Sequence, residues 1–164
     1  MKCNMKRKGF TLVELLIVIV VIGILSAMMM LSSTEAVTSA RASNIVSNLR
    51  NLKTAALAFY VDHVDSYDLA TVATGDNISG KKDAILKYMG SNSSNIEAGY
   101  SFKGANSGTW YVYYDVTNDA NVKTKLAGRA KSTGLRGATT ETGFTSNDTN
   151  GQYTDQQYVG MFIR

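Results

Sequence analysis

The sequence predicts an α+β fold in which one long N-terminal α-helix, membrane-spanning in its first half, packs its second half on a small antiparallel β-sheet. Three observations predict it. Residues 10–31 form an apolar run with a single charge, Glu14. Apolar residues then continue at helical spacing to about residue 61, and two aromatic-rich segments around a glycine-containing turn precede a short apolar C-terminal stretch. The 164 residues suit one compact domain plus an appendage, and an apolar share of 45% is ordinary for a folding chain.

Charge locates the membrane face. Lys2, Lys6, Arg7 and Lys8 precede the apolar run; removing these four from the 17 basic residues leaves 13, equal to the 13 acidic ones. The net charge of +4 therefore belongs to the N-terminal segment, and the rest shows no excess that would suit nucleic acid. The 22 residues from Phe10 to Leu31 reach ~33 Å as a helix, enough for a bilayer core. The basic cluster on one side of the span puts the N-terminus in the cytoplasm and the residues beyond about 32 outside. A secretory signal would end at a small-residue cleavage site, whereas this run passes into a polar helical pattern, so the anchor stays. Cys3 is the only cysteine; it allows no intramolecular disulfide or thiolate cluster, and with no apolar segment upstream it is not a lipidation site.

After the span, Ile45, Leu49, Leu52, Ala56 and Phe59 or Tyr60 recur at steps of three and four, with Arg41, Asn44, Asn48, Arg50 and Lys53 on other faces. One helix is expected from Phe10 to Val61. Residues 62–80 lose the period and read as a connection. Residues 81–89 suit a short helix stopped by Gly90. Ala98–Lys103 and Thr109–Val116 read as a hairpin. Thr117 is expected to cap a helix over 118–133, with Val122, Leu126 and Ala130 on one face and Gly134 just beyond. The Gly, Thr, Ser and Asn-rich tract 136–157 reads as surface loop, and Tyr158–Ile163 as a last strand.

Glu14 has two readings. It is a helix-terminal acid that snorkels and benefits from the helix dipole, at less than the ~2.5–3.5 kcal/mol of a mid-bilayer acid. Alternatively, it has a function. Basic residues, then Gly9, Phe10, Thr11, Leu12, Val13, Glu14 and a long apolar stretch resemble the prepilin signal of type IV pilins and of the pseudopilins of type II secretion, over residues 6 to about 30. The resemblance implies a leader over 1–9, a helix over 10–61 that spans the membrane over 10–31, and a globular pilin-like head over 62–164. It implies that a prepilin peptidase cuts between Gly9 and Phe10 and N-methylates Phe10; a residue without a side chain admits close backbone approach. It further implies that Glu14 pairs with the Phe10 amine of a neighbouring subunit during assembly on a platform driven by an ATPase. The chain departs from the family in three ways. It has no proline near the end of the span, leaving Gly23 as the weak point at ~1 kcal/mol relative to alanine. It has no C-terminal disulfide, and AspSerTyrAsp at 65–68 stands where major pseudopilins often show Tyr-Pro-Thr.

The remaining chemistry is sparse. His63, the only histidine, lies among Asp62, Asp65 and Asp68, an arrangement that suits a solvated turn better than a metal site. Asp148, Asn150 and Asp155 offer oxygen ligands for calcium around a glycine turn, and pseudopilins can bind calcium in a C-terminal loop, but the full calcium-loop signature is absent. Trp110, Tyr111, Tyr113 and Tyr114 could stack on bases or sugars; alternation in a strand and sheet packing explain them as well. No phosphate loop or nucleophile motif suggests an enzyme. The reading is a non-enzymatic pilus-like filament subunit in the bacterial inner membrane, without a cofactor and with like subunits as partners. The alternatives are a periplasmic type II secretion pseudopilin and a minor pilin whose head binds DNA or a surface ligand.

Overall fold

The computed structural model of the chain describes residues 9–63, 79–90, 96, 99–104, 109–141, 143–144 and 152–163. Most of the expected connection 62–80, the hairpin turn 105–108 and the basic residues before Gly9 lie outside these. The fold is α+β, as expected: α1 (Leu12–His63), a 3-10 turn (Ser79–Lys81) leading into α2 (Lys82–Lys87), β1 (Tyr100–Gly104), β2 (Trp110–Asp115), α3 (Ala120–Thr133), β3 (Arg136–Ala138) and β4 (Tyr158–Phe162). The chain divides into two compact units, Met1–Val37 and Thr38–Arg164.

In the first unit, α1 exposes apolar side chains on every side from Leu15 to Met30. Leu12, Ile17, Ile22, Leu25 and Met29 are all more than half exposed. A helix without a polar face is soluble only in lipid or among other apolar helices, and α1 is long and apolar enough to cross a membrane.

In the second unit, the stripe read from the sequence is the buried face of α1. Leu49, Leu52 and Ala56 are fully buried, Ile45 and Phe59 nearly so. They pack with the sheet, whose order is β1-β2-β4-β3 and whose pairs are all antiparallel. The register pairs Phe102 with Val112 and Val112 with Met161, which puts Phe102, Trp110, Val112, Val159 and Met161 into the same core as the α1 stripe. Tyr60 of α1 meets Trp110 edge to face at 5.4 Å. Val122, Leu126 and Ala130 of α3 join this core. The Arg129 guanidinium donates to the hydroxyls of Ser39 (2.9 Å) and Ser43, tying α3 to α1. At the free edge of β1, Lys82 Nζ donates to the Tyr100 carbonyl at 2.6 Å, so a lysine blunts that edge.

Two expectations are corrected. Asp119, not Thr117, caps α3: its carboxylate accepts the Val122 N–H at 3.2 Å, while Thr117 donates its N–H and hydroxyl back to Asp115 Oδ1 and so belongs to a turn. The C-terminal end is as read, with Gly134 at φ 71° and its N–H on the Ala130 carbonyl. The tract 136–157 is not all surface loop. It contributes β3 and two buried aromatics, Phe144 and Tyr153. Alternation does send Tyr111 and Tyr113 to the face opposite Trp110 and Val112, but that face is covered too. Phe144 packs on Tyr111 with ring centroids 4.7 Å apart. Gly160 makes room for it: a Cβ there would stand 2.7 Å from the Val112 carbonyl and 3.1 Å from the Phe144 ring.

Two predictions follow from this packing. Leu49→Ala leaves a cavity where α1 meets the sheet and lowers unfolding free energy by ~2–5 kcal/mol, whereas Asp119→Ala loses about 1 kcal/mol with the cap; chemical melts of both variants check the order. Burial, then the Asp155 carboxylate, push the Tyr153 phenol above its ordinary 10.0, and burial, then Glu141, do the same for Tyr113. A phenol whose folded pKa is raised stabilises the fold fully below about pH 10, and that contribution is lost as pH climbs toward the folded value. Stability should therefore fall above about pH 10, less steeply in Tyr153→Phe; an identical alkaline slope in the variant would contradict this.

Candidate functional site

The candidate site is the start of α1. Gly9, Phe10 and Thr11 precede the first helical residue, and all three are exposed, Phe10 by 88%. A Cβ at Gly9 would meet no atom within 4 Å. Nothing within the described chain therefore demands a glycine there, and any requirement for the missing side chain comes from another molecule.

Thr11 and Glu14 form a reciprocal cap. The Glu14 N–H donates to Thr11 Oγ1 at 3.2 Å, and the Thr11 N–H donates back to Glu14 Oε2 at 2.8 Å. The Thr11 hydroxyl also donates to Oε2, at 2.7 Å. This is a capping box: an N-cap hydroxyl takes the N–H three residues on, and the acid at that position takes the N–H of the cap. Sequence reasoning treated Glu14 as a lone acid near a helix dipole and missed Thr11. The signal was present, because Thr-x-x-Glu directly before an apolar run is the sequence form of this cap.

The cap engages only half of the carboxylate. Oε2 takes both bonds, while Oε1 accepts none from a described residue. A carboxylate has about four lone-pair sites, so Oε1 is available to an incoming donor. The positive end of the helix holds the anion in place without neutralising it. The site can therefore fix a carboxylate at the first turn of an apolar helix and present one oxygen to a cation.

The other sequence candidates lie elsewhere. His63 stacks on Phe59 at 4.3 Å and its Nδ1–H bonds to the Phe59 carbonyl at 2.9 Å. The carboxylate of Asp62 hydrogen-bonds the Tyr88 hydroxyl and raises its pKa. Asp65 and Asp68 lie outside the described residues, as do Asp148 and Asn150 of the calcium candidate. Asp155 is exposed, with its N–H on Gln156 Oε1. Among the described residues, no three His, Cys, Asp or Glu side chains gather as a metal site. Trp110, Tyr111 and Tyr113 are buried and Tyr114 is half-buried, which places all four in sheet packing.

Residues 4–30, which include Gly9, Phe10, Thr11 and Glu14, match the family described as the prokaryotic N-terminal methylation motif. The chain is 35% identical over 81 residues to a fimbrial protein of Neisseria meningitidis serogroup B (strain ATCC BAA-335 / MC58), a stretch that covers 48% of each. The chain thus aligns with about half the length of that curated relative. No solved structure matches it. The motif at the start of α1, the likeness to a fimbrial protein and the long helix with a small antiparallel sheet are features that the chain shares with proteins of the type IV pilin family, in the broad sense that includes pseudopilins.

Proposed function

We propose that the chain is a structural subunit of a type IV pilus-like filament, polymerised through α1. The observation that carries this is the half-engaged Glu14 carboxylate at the start of the apolar first part of α1, residues 12–31 of which carry no other charge. An ion in a bilayer is costly unless paired, and an amine of a neighbouring subunit supplies the pair. In this reading the subunit is a single-pass protein of the inner membrane with a cytoplasmic N-terminus. Prepilin peptidase cuts between Gly9 and Phe10 and methylates the new amine, and the assembly platform and its ATPase bring subunits together. No cofactor and no catalytic step by this chain enter the reading.

The capping box fits that cut. Cleavage before Phe10 leaves the Phe10–Thr11 peptide bond intact, so the Thr11 N–H that holds Oε2 survives. A cut one residue later would turn that N–H into the terminal amine and dissolve the cap. The cut thus produces an amine one residue upstream of the cap while Oε1 stays open. The fimbrial relative supports a surface fibre over a secretion piston.

Intact-mass measurement on sheared cells and on membranes tests the proposal. The expected species begins at Phe10, carries one added methyl and appears in the sheared fraction. If the processed species stays in membranes alone, the chain is a pseudopilin or scarce minor subunit, and a species retaining residues 1–9 contradicts processing altogether. Gly9→Val should block cleavage, and Glu14→Leu should allow cleavage but stop incorporation. Thr11→Val should keep cleavage and lower filament yield several-fold, because a lost cap costs about 1 kcal/mol, a factor of about five in the population of ordered helix start. Wild-type yield from Thr11→Val would show that the cap does not serve assembly.

A further inference from the structure

Independently of filament assembly, we propose that the Thr38–Arg164 unit binds a neutral saccharide in a cavity beside the sheet. The cavity measures about 530 Å³ and lies between α1, the start of β1, the end of β2 and the N-terminus of α3. That is within the ~300–1,000 Å³ of small-molecule sites. Its floor is apolar and closed, with Ile45, Tyr100 and Val122 all buried. Its walls and mouth are polar and carry Arg41, Asn44, Tyr114, Asp115, Asn118 and Asp119.

The charges around the cavity are largely committed. Asp119 gives Oδ1 to the cap of α3 and Oδ2 to Arg41 at 3.3 Å. Asp115 Oδ1 holds Thr117. The one guanidinium already faces Asp119, and Asp115 keeps Oδ2 as a further acceptor, so no uncompensated charge of either sign dominates the cavity. The amides are different: neither Asn44 nor Asn118 is tied by a side-chain hydrogen bond within the described residues. Each amide offers two donors and an acceptor, and Arg41 has further N–H groups beyond the one on Asp119. A mixed set of donors and acceptors matches sugar hydroxyls, each of which both donates and accepts.

The aromatic part completes the match. Tyr100 and Tyr114 both line the cavity with ring centroids 4.5 Å apart, and Asn48 Nδ2 donates to the Tyr100 hydroxyl at 3.2 Å. The half-buried Tyr114 ring supplies the flat apolar surface against which the C–H face of a pyranose rests. Gly99 permits this placement, since a Cβ there would lie 2.7 Å from Tyr114 Cε2.

The test is saturation-transfer difference NMR on the full chain in amine-oxide micelles, which carry no sugar of their own. The probes are glucose, galactose, N-acetylglucosamine, N-acetylgalactosamine and lactose, with N-acetylneuraminic acid and spermidine as charged comparators. Transfer to the ring protons of at least one neutral sugar is expected. Asn44→Ala and Asn118→Ala, both at exposed positions, should each weaken it by about tenfold, equivalent to one or two hydrogen bonds, with unchanged circular dichroism. Absence of transfer from every neutral sugar overturns the proposal, as does transfer undiminished in both variants. Selective binding of either charged comparator overturns it too.

Discussion

One carboxylate at the start of a long apolar helical run constrains how this chain can exist. Isolated in hydrocarbon, Glu14 would need neutralisation or a partner. Thr11 meets part of that need with two donors from a single residue at 2.8 and 2.7 Å. The cap also fixes where the helix begins, so the carboxylate and the Phe10 nitrogen are held within a few residues of each other. Under the proposed function, helix start, cut site and counter-ion are three aspects of one arrangement. In the proposed filament, a feature that looks costly in the monomer is explained by the polymer.

The globular unit follows a different logic. It has no disulfide, and its core rests on packing of the α1 stripe against one sheet face, with α3 held by the bonds from Arg129 to Ser39 and Ser43. The opposite face is closed by the chain's own return, with Phe144 over Gly160 and the Tyr111 hydroxyl donating to the Glu141 carbonyl at 2.8 Å. Both sheet faces therefore carry buried aromatics, and the Tyr114 end lines a cavity.

The parts most legible in the sequence were those with a period. Steps of three and four placed Ile45, Leu49, Leu52, Ala56 and Phe59 on one face, and alternation separated Trp110 and Val112 from Tyr111 and Tyr113. Gly134 marked the end of α3 because a left-handed residue is needed there. What could not be read depends on neighbours distant in sequence. Phe144 and Tyr153 sit singly in a polar tract, and nothing local shows that Phe144 meets Gly160 or that the Tyr153 N–H donates to the Leu135 carbonyl at 3.1 Å. Thr117 and Asp119 are both good caps by type, and the choice rests on Asp115 already holding Thr117. At the site itself, Gly9, Phe10 and Glu14 stood out through their resemblance to a known signal, whereas Thr11 was legible from capping rules and overlooked. The cavity was invisible to the sequence because its walls come from segments 41–48, 99–100 and 114–122.

The most direct test of the account is a helical reconstruction of the assembled filament at side-chain detail. The account predicts that Glu14 Oε2 stays on Thr11 while Oε1 lies within ~4 Å of the Phe10 amine of a neighbouring subunit, the distance of an ion pair. A filament in which the Phe10 amine and the Glu14 carboxylate lie apart, each without the other, would contradict it.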